Sequence, residues 1–238
     1  MPITVVSIDD HPLIRTAIRS LLESQENIQL IAEGSAGEHV LPLVKEHEPD
    51  VLILDLMMPQ WEHASSGERF PVLQTVAQLH KNFPETAVIF LTQYVSEALS
   101  QQAIRLGVRG YVLKGDDLSL NLPGAIEAVY RGGVYFSKEI SQKLFSPIQQ
   151  PTTEPILSER QKEIILVIAQ SPDATYRHLA RQLSISESTL KGHLNNIFKA
   201  LDVGNITACI ITCMQRGLIP FSIDELGRIQ FGSVMEPF

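Results

Sequence analysis

Scarcity of cysteine and of long apolar runs is the first feature of this sequence. Only two of its 238 residues are cysteines, which excludes a small disulfide-stabilised scaffold. No apolar run approaches the roughly 18 residues of a membrane-spanning helix, and the N-terminal residues lack the basic region of a signal peptide. We therefore expect a cytoplasmic protein without a membrane segment. Cys209 and Cys213 lie on one face of an apolar helical pattern, where buried thiols are expected and a redox pair is the alternative.

Positive charge is also scarce, and it is unevenly distributed along the chain. Residues 1–150 hold 18 acidic and 11 basic residues, a net charge of −7. Residues 157–219 hold 5 acidic and 7 basic residues, a net charge of +2. The first segment should therefore repel nucleic acid, whereas the second is able to approach it.

Acidic residues stand at the ends of two strongly apolar segments. Asp9 and Asp10 follow the run 3–8, and Asp55 follows the run 51–54. In an open parallel sheet, ligands bind beyond the carboxyl ends of the strands. Three carboxylates at one such edge repel each other unless a cation offsets their charge, and carboxylates with waters and a phosphate are what Mg²⁺ binds. The pattern predicts Mg²⁺-assisted phosphoryl chemistry on an aspartate.

Two further strand ends carry a hydroxyl and an ammonium group. The apolar run 87–91 ends at Thr92, and the run 110–113 ends at Lys114. Phosphoryl transfer depends mainly on positioning and charge neutralisation, so Thr92 could bond one phosphoryl oxygen and Lys114 could pair with another. Each residue alone is also explained by an ordinary loop or helix cap. The four signals together favour a phosphorylation site.

The residues that carry a family resemblance are Asp9-Asp10-His11-Pro12, Asp55 with Met58-Pro59, Leu91-Thr92 and Gly110-Tyr111-Val112-Leu113-Lys114. With these residues, positions 1 to about 130 resemble the receiver domain of two-component response regulators. The resemblance implies that a sensor histidine kinase donates a phosphoryl group to Asp55. It also implies a switch formed by Thr92 and Tyr111 beside Lys114. The implied Mg²⁺ ligands are Asp9, Asp10, Asp55 and the backbone carbonyl of Met57.

Strand-like and helical patterns alternate through this first segment, which predicts βαβ units and a doubly wound sheet. We expect a flavodoxin-like α/β fold with a five-stranded parallel sheet. The predicted strands are 3–8, 28–33, 50–54, 87–91 and 109–113. The predicted helices are 12–24, 37–47, 71–82, 95–106 and 119–131.

An insertion lies beside the predicted phosphorylation site. Between Asp55 and Thr92 the chain is longer than is usual in the family, and the excess falls around residues 60–70. Extra loop length costs little stability, so a tolerated surface insertion is one interpretation. Trp61 and His63 make a lid or a docking role the alternative.

The second segment has the pattern of a helix-turn-helix domain. Ser158 and Gln161 fit a capping box at the start of its first helix, and Ser186 fits the N-cap of the third. Further helices are predicted near 176–183, 187–200 and 206–216. We therefore expect an all-α, four-helix domain that contains a helix-turn-helix.

The motifs 157–161, 183–194 and 217–219 resemble the LuxR-type DNA-binding domain, and the whole chain resembles the NarL/LuxR-type response regulators. In that family the third helix enters the major groove of double-stranded DNA, and the fourth often forms the dimer contact. Lys191, Gly192 and Asn195 match the base-reading positions. The full set of predicted DNA-contacting residues is Ser188, Thr189, Lys191, Gly192, His193, Asn195 and Asn196.

The predicted domain boundaries follow from these patterns. They are a receiver domain at 1–136, a linker at 137–156 that its prolines stiffen, a helix-turn-helix domain at 157–219 and a C-terminal extension at 220–238. The extension is more apolar than a typical disordered tail. It could pack on the DNA-binding domain or cover a partner surface.

The sequence therefore predicts a phosphorylation-regulated, DNA-binding transcriptional regulator that forms a homodimer when active and is not an enzyme. A signalling adaptor that acts only through protein–protein interaction is the alternative, favoured by the weak positive charge, the insertion and the apolar extension. An aspartyl-phosphate hydrolase is disfavoured because no carboxylate lies two residues after Asp55 to act as acid and base.

Overall fold

A parallel β-sheet with helices on both faces is followed by a helical domain and a β-hairpin. The computed structural model describes residues 1–62, 69–93, 96–145, 157–224 and 229–232. The strands of the sheet are β1 (Ile3–Ile8), β2 (Ile28–Gly34), β3 (Val51–Asp55), β4 (Ala87–Thr92), β5 (Gly110–Leu113) and β6 (Tyr135–Phe136).

The strand order is β2-β1-β3-β4-β5-β6, and every neighbouring pair is parallel. The prediction of five strands was wrong, because β6 adds a sixth strand at the edge. In it, Tyr135 pairs with Gly110 and Phe136 pairs with Tyr111. Two residues are too few to show the periodicity by which a strand is recognised in a sequence.

All five predicted helices of the first domain are present, and a sixth follows β6. They are α1 (Pro12–Glu23), α2 (Val40–His47), α3 (Val72–Asn82), α4 (Glu97–Arg105), α5 (Leu118–Tyr130) and α6 (Lys138–Leu144). Strands β3 and β4 are buried along their whole length, which explains their continuous apolar sequence. Ile53 and Ile89 enter a core with α1 and α5, whereas Leu54 and Phe90 enter a core with α2, α3 and α4.

The helical domain has the four predicted helices. They are α7 (Glu159–Gln170), α8 (Tyr176–Gln182), α9 (Glu187–Leu201) and α10 (Ile206–Gln215). The predicted capping box of Ser158 and Gln161 is confirmed, and Ser186 caps α9 by accepting from the backbone N–H of Thr189. Among the described residues no single helix is long and apolar enough to span a membrane; only α9 and α10, taken together as a bent pair, reach that composition.

In the described part of the C-terminal extension, β7 (Phe221–Ile223) and β8 (Ile229–Phe231) pair as antiparallel strands. The side chain of Gln170 in α7 donates to the carbonyl of Gly232 at 3.0 Å. The ring of Phe221 meets the ring of Phe145, at the end of α6, with 5.3 Å between centroids. The extension therefore packs on the helical domain and also contacts the end of α6, the helix that follows β6.

Helix α10 is shared between the two domains. Cys209 and Cys213 are buried in the core of the helical domain, as predicted for structural thiols. Ala208 and Ile211 instead join the core that contains α4. At the start of α10, Asn205 Nδ2 donates to a carbonyl oxygen at the end of α4. Both sides of α10 are consequently covered.

The first residues of the insertion contact the loop that follows β2. Pro59 and Arg69 form an isolated antiparallel bridge at its base. The side chain of Glu62 accepts a hydrogen bond of 2.6 Å from the hydroxyl of Ser35. Residues 63–68, which include His63, lie outside the described residues, so the lid or docking role stays a prediction.

Candidate phosphorylation site and nucleic-acid interface

The carboxyl edge of the sheet brings the predicted acidic residues and lysine together. Lys114 Nζ lies 2.7 Å from Asp9 Oδ2 and 2.7 Å from Asp55 Oδ2. The three side chains are at most 3% exposed. Charge-assisted contacts of this length are strong, and removal of the ammonium would leave two buried negative charges side by side. Lys114 therefore holds together the carboxylate that follows β1, Asp9, and the carboxylate at the end of β3, Asp55.

Asp55 is oriented by its own loop as well as by the lysine. The backbone N–H of Met57 donates to Asp55 Oδ1 at 3.2 Å, while Oδ2 accepts from Lys114. The side chain of Met57 is half exposed, so this loop borders solvent. The role of the Met57 carbonyl as a metal ligand stays a prediction.

Asp9, Asp10 and Asp55 form an acidic cluster in which two carboxylate oxygens lack a hydrogen-bond partner among the described residues. Asp9 Oδ2 and Asp10 Oδ1 are buried, and no group among the described residues completes a hydrogen bond to either, although Lys114 forms an ion pair with the first. Burial raises the pKa of Asp10; the charge of His11 opposes this shift, and the charges of Asp55 and Asp9 add to it. Single ligand atoms of Asp9, Asp10, His11 and Asp55 all lie within 4.8 Å of one another. The three carboxylates of this group supply hard oxygen donors that fit a divalent cation.

The predicted switch residues Thr92 and Tyr111 are both buried. The ring of Tyr111 packs edge-on against Phe90 with 5.6 Å between centroids. Burial raises the pKa of Tyr111, and the hydroxyl of Ser100 in α4 opposes this shift. The ring therefore occupies the inward position, on the face of the sheet that α4 covers. Its movement on phosphorylation stays a prediction.

The predicted DNA-contacting residues share the solvent side of α9. The opposite side of this helix buries Leu190, Leu194 and Ile197 in the domain core. His193 is half-buried, and the other six predicted residues are exposed. These six are Ser188, Thr189, Lys191, Gly192, Asn195 and Asn196. The helix thus presents a polar surface that a nucleic acid can reach.

Lys191 is held by two neighbours that the sequence analysis missed. Glu187 Oε1 lies 2.8 Å from its Nζ, one helical turn away. The same Nζ lies 5.8 Å from the ring centroid of Tyr176, within the range of a cation–π contact. The hydrogen bond and charge of Glu187 raise the pKa of Lys191. The i,i+4 spacing of the ion pair is visible in the sequence, whereas the contact with α8 depends on tertiary packing.

Gly192 has no packing partner that requires a glycine. A Cβ placed at this position would meet no described atom within 4 Å, and glycine within a helix costs roughly 1 kcal/mol relative to alanine. The folded chain by itself therefore does not explain this glycine.

Comparison with known proteins accounts for both domains. Residues 5–120 match the sequence profile of the response regulator receiver domain, and residues 155–213 match that of the luxR family of bacterial regulatory proteins. The response regulator protein VraR of Staphylococcus saprophyticus is 30% identical over 92% of this chain and 100% of its own length. The chain belongs to the two-component response regulators. This membership identifies a regulator rather than an enzyme, and its receiver domain implies a histidine kinase partner.

Solved response regulators share the fold. RcsB of Salmonella typhimurium is 23% identical and aligns with a TM-score of 0.52 over 87% of this chain and 97% of its own. A structure of two RcsB dimers bound to two parallel DNAs has the same identity of 23% and a TM-score of 0.52, over 90% of this chain and 99% of its own. At this level of identity the likeness shows the fold alone.

Proposed function

We propose that this response regulator is a cytoplasmic transcription regulator whose binding to double-stranded DNA is controlled by phosphorylation of Asp55. The observation that carries the proposal is the pairing of Lys114 with both Asp9 and Asp55 at the edge of the sheet. The same chain presents the exposed polar side of α9. One molecule therefore combines a phosphoryl acceptor with a surface suited to DNA.

The residues at the sheet edge divide the chemistry of phosphorylation between them. Asp55 accepts the phosphoryl group from a sensor histidine kinase through a carboxylate oxygen. Lys114 pairs with one phosphoryl oxygen, and the hydroxyl of Thr92 bonds another. Mg²⁺, when bound, offsets the negative charge of the phosphoryl group. Its proposed ligands are Asp9, Asp10, Asp55 and the carbonyl of Met57.

Helix α9 is the proposed reader of DNA sequence. Lys191 and Asn195 carry groups that bond guanine and adenine edges in the major groove. Gly192 stands between them on the same exposed side, where the absence of a side chain allows close approach of the helix to DNA. Ser188, Thr189 and Asn196 supply hydrogen bonds to bases or to the phosphate backbone.

The contact between α4 and α10 links the two sites. Tyr111 lies in the same core as residues of α4 and as Ile211 of α10. Because α10 is covered on both sides, a second copy cannot pack against it in this arrangement. We infer that phosphorylation shifts Thr92 and Tyr111, loosens α4 from α10 and frees α10 for a homodimer. Two linked reader domains then bind DNA more tightly than one.

The division of the chain follows this scheme. The receiver domain spans 1–136, the linker 137–156, the DNA-binding domain 157–219 and the C-terminal extension 220–238. In this division α6 belongs to the linker, and its contacts with the first domain help to set the arrangement of the two domains.

Intact-mass measurement tests the phosphoryl acceptor. Acetyl phosphate with Mg²⁺ should add one acid-labile phosphoryl group, and Asp55→Asn should abolish this addition because an amide is not a phosphoryl acceptor. Asp173→Asn, which changes an exposed aspartate of the other domain, is the matched control and should label normally. Equal labelling of the Asp55→Asn variant would contradict the assignment.

A further inference from the structure

Tyr176 is an aromatic residue that the core of the helical domain does not use. It is the first residue of α8, and the preceding Thr175 caps that helix by accepting from the backbone N–H of His178. Tyr176 is 43% exposed, the one large apolar or aromatic residue left exposed among the described residues of this domain. Its ring therefore has to be explained by something other than core packing.

The ring of Tyr176 supports the ammonium group of Lys191 from a different helix. Lys191 Nζ lies 5.8 Å from the ring centroid and 2.8 Å from Oε1 of Glu187, which is on the same helix as the lysine. A lysine held by one contact can still pivot about it. A ring of α8 and a carboxylate of α9 together define the position of the ammonium group.

The position of this ammonium group matters because a lysine can bond either bases or phosphates. Lysine has one of the most flexible side chains, and contacts with phosphate oxygens carry no sequence information. A lysine that is already held loses less conformational freedom on binding, and it is directed toward one group of the DNA. The uncharged ring gives this support without placing a second negative charge beside the phosphates, as another carboxylate would.

We propose that Tyr176 is a specificity-determining residue that positions Lys191 for the reading of a base edge. This inference rests on the proposed function, because that function places α9 in the major groove. Tyr176 lies outside α9, so a residue of the preceding helix sets how selectively the reader helix distinguishes DNA sequences. It acts through Lys191 and not through a contact of its own with DNA.

Fluorescence anisotropy with the phosphorylated full-length protein tests this role. The measured quantity is the ratio of affinities for a DNA duplex selected from genomic fragments and for the same duplex with its sequence shuffled. Tyr176→Leu should lower this ratio about two- to fivefold, the contribution of a cation–π contact at an exposed site. Tyr176→Phe keeps the ring and should keep the ratio. Tyr130→Leu, at an exposed tyrosine of the receiver domain, is the matched control and should also keep it.

Two results of this experiment would overturn the proposal. A ratio for Tyr176→Leu equal to that of the wild type would show that the ring does not affect sequence discrimination. Equal losses for Tyr176→Phe and Tyr176→Leu would show that the hydroxyl, and not the ring, is what matters, as in a direct bond from the tyrosine to DNA.

A comparison of two rings at position 176 separates attraction of the ammonium group from simple packing. Phenylalanine and pentafluorophenylalanine have similar shapes, but fluorine withdraws the electron density on which a cation–π contact depends. The fluorinated ring should therefore lower the ratio about as much as Tyr176→Leu does. Because the two side chains are so similar, a difference between them does not arise from misfolding. Equal ratios for the two rings would overturn the proposed contact.

A double-mutant cycle separates this inference from the proposed function. In a Lys191→Ala background, Tyr176→Leu should cause no further loss of the ratio, because the ring acts through the lysine. A further loss as large as in the wild-type background would give Tyr176 its own contact with DNA and refute its role as a positioning residue, while α9 remains the reader. A Lys191→Ala protein that keeps the wild-type ratio refutes base reading by Lys191, and with it both the proposed reader and the role of Tyr176.

Discussion

Substitution of Asn205 separates two roles that this side chain combines. Its Oδ1 accepts from the backbone N–H of Ala208 at 2.8 Å and caps α10. Its Nδ2 donates to the carbonyl of Arg105 at 3.1 Å and joins α10 to α4. Asn205→Ser keeps a good N-cap, because serine and asparagine cap helices about equally well. The shorter serine side chain loses the bond to Arg105.

The size of the effect follows from that single hydrogen bond. Its site is exposed, so water can replace the lost donor, and a net loss of about 1 kcal/mol is expected. In the closed arrangement α4 contacts α10, and in the open arrangement the two helices are apart. The loss shifts the equilibrium between these arrangements about fivefold toward the open one. The domains themselves should keep their stability, because no core side chain is changed.

Hydrogen exchange measured by mass spectrometry can detect this opening. Peptides that cover α4 and α10 should exchange about fivefold faster in Asn205→Ser if their amides exchange through domain opening. Peptides from the buried strands β3 and β4 should be unchanged. Faster exchange confined to α10 would reveal a capping defect, and unchanged exchange in α4 would refute the linkage between the two helices.

Three further substitutions test the proposed sites. Lys191→Ala should weaken binding to a specific DNA site by about 1 to 3 kcal/mol if the lysine meets a base edge; an equal loss on random DNA, measured by fluorescence anisotropy, would make it a phosphate contact instead. Gly192→Ala should raise the free energy of unfolding by roughly 1 kcal/mol, because the added Cβ meets no described atom. The same substitution should weaken DNA binding, and unimpaired binding would show that the glycine is not needed at the interface. Asp10→Ala should lower the rate of labelling by acetyl phosphate at limiting Mg²⁺, and excess Mg²⁺ should restore the wild-type rate. A rate that stays low at saturating Mg²⁺ would show that Asp10 does more than hold the metal.

Much of the receiver architecture could be predicted because its signals are local. Fully buried strands such as β3 and β4 require continuous apolar runs, and the parallel arrangement places the residues that follow them at one edge. Asp9, Asp55 and Lys114 therefore converge as expected. Strand β6 was missed because its two residues have no periodicity, and its pairing with β5 is set by tertiary structure.

Most of the features that escaped prediction depend on contacts distant in sequence or on side-chain orientation. The position of Tyr176 beneath Lys191 depends on how α8 crosses α9. The hairpin of the extension is fixed by packing on α7 and on Phe145. The sharing of α10 between two cores depends on the placement of whole domains. The contacts of the His11 ring with the carboxylates of Asp9 and Asp10 depend on a side-chain orientation that a sequence motif does not specify.

DNA binding measured before and after phosphorylation tests the central claim most directly. Fluorescence anisotropy with a DNA site selected from genomic fragments should show that acetyl phosphate and Mg²⁺ increase the affinity of the wild-type protein. Asp55→Asn should bind at the unphosphorylated level with or without the phosphodonor. An equal gain in the Asp55→Asn variant, or no gain in a wild-type protein shown by mass to be phosphorylated, would contradict control of DNA binding through Asp55.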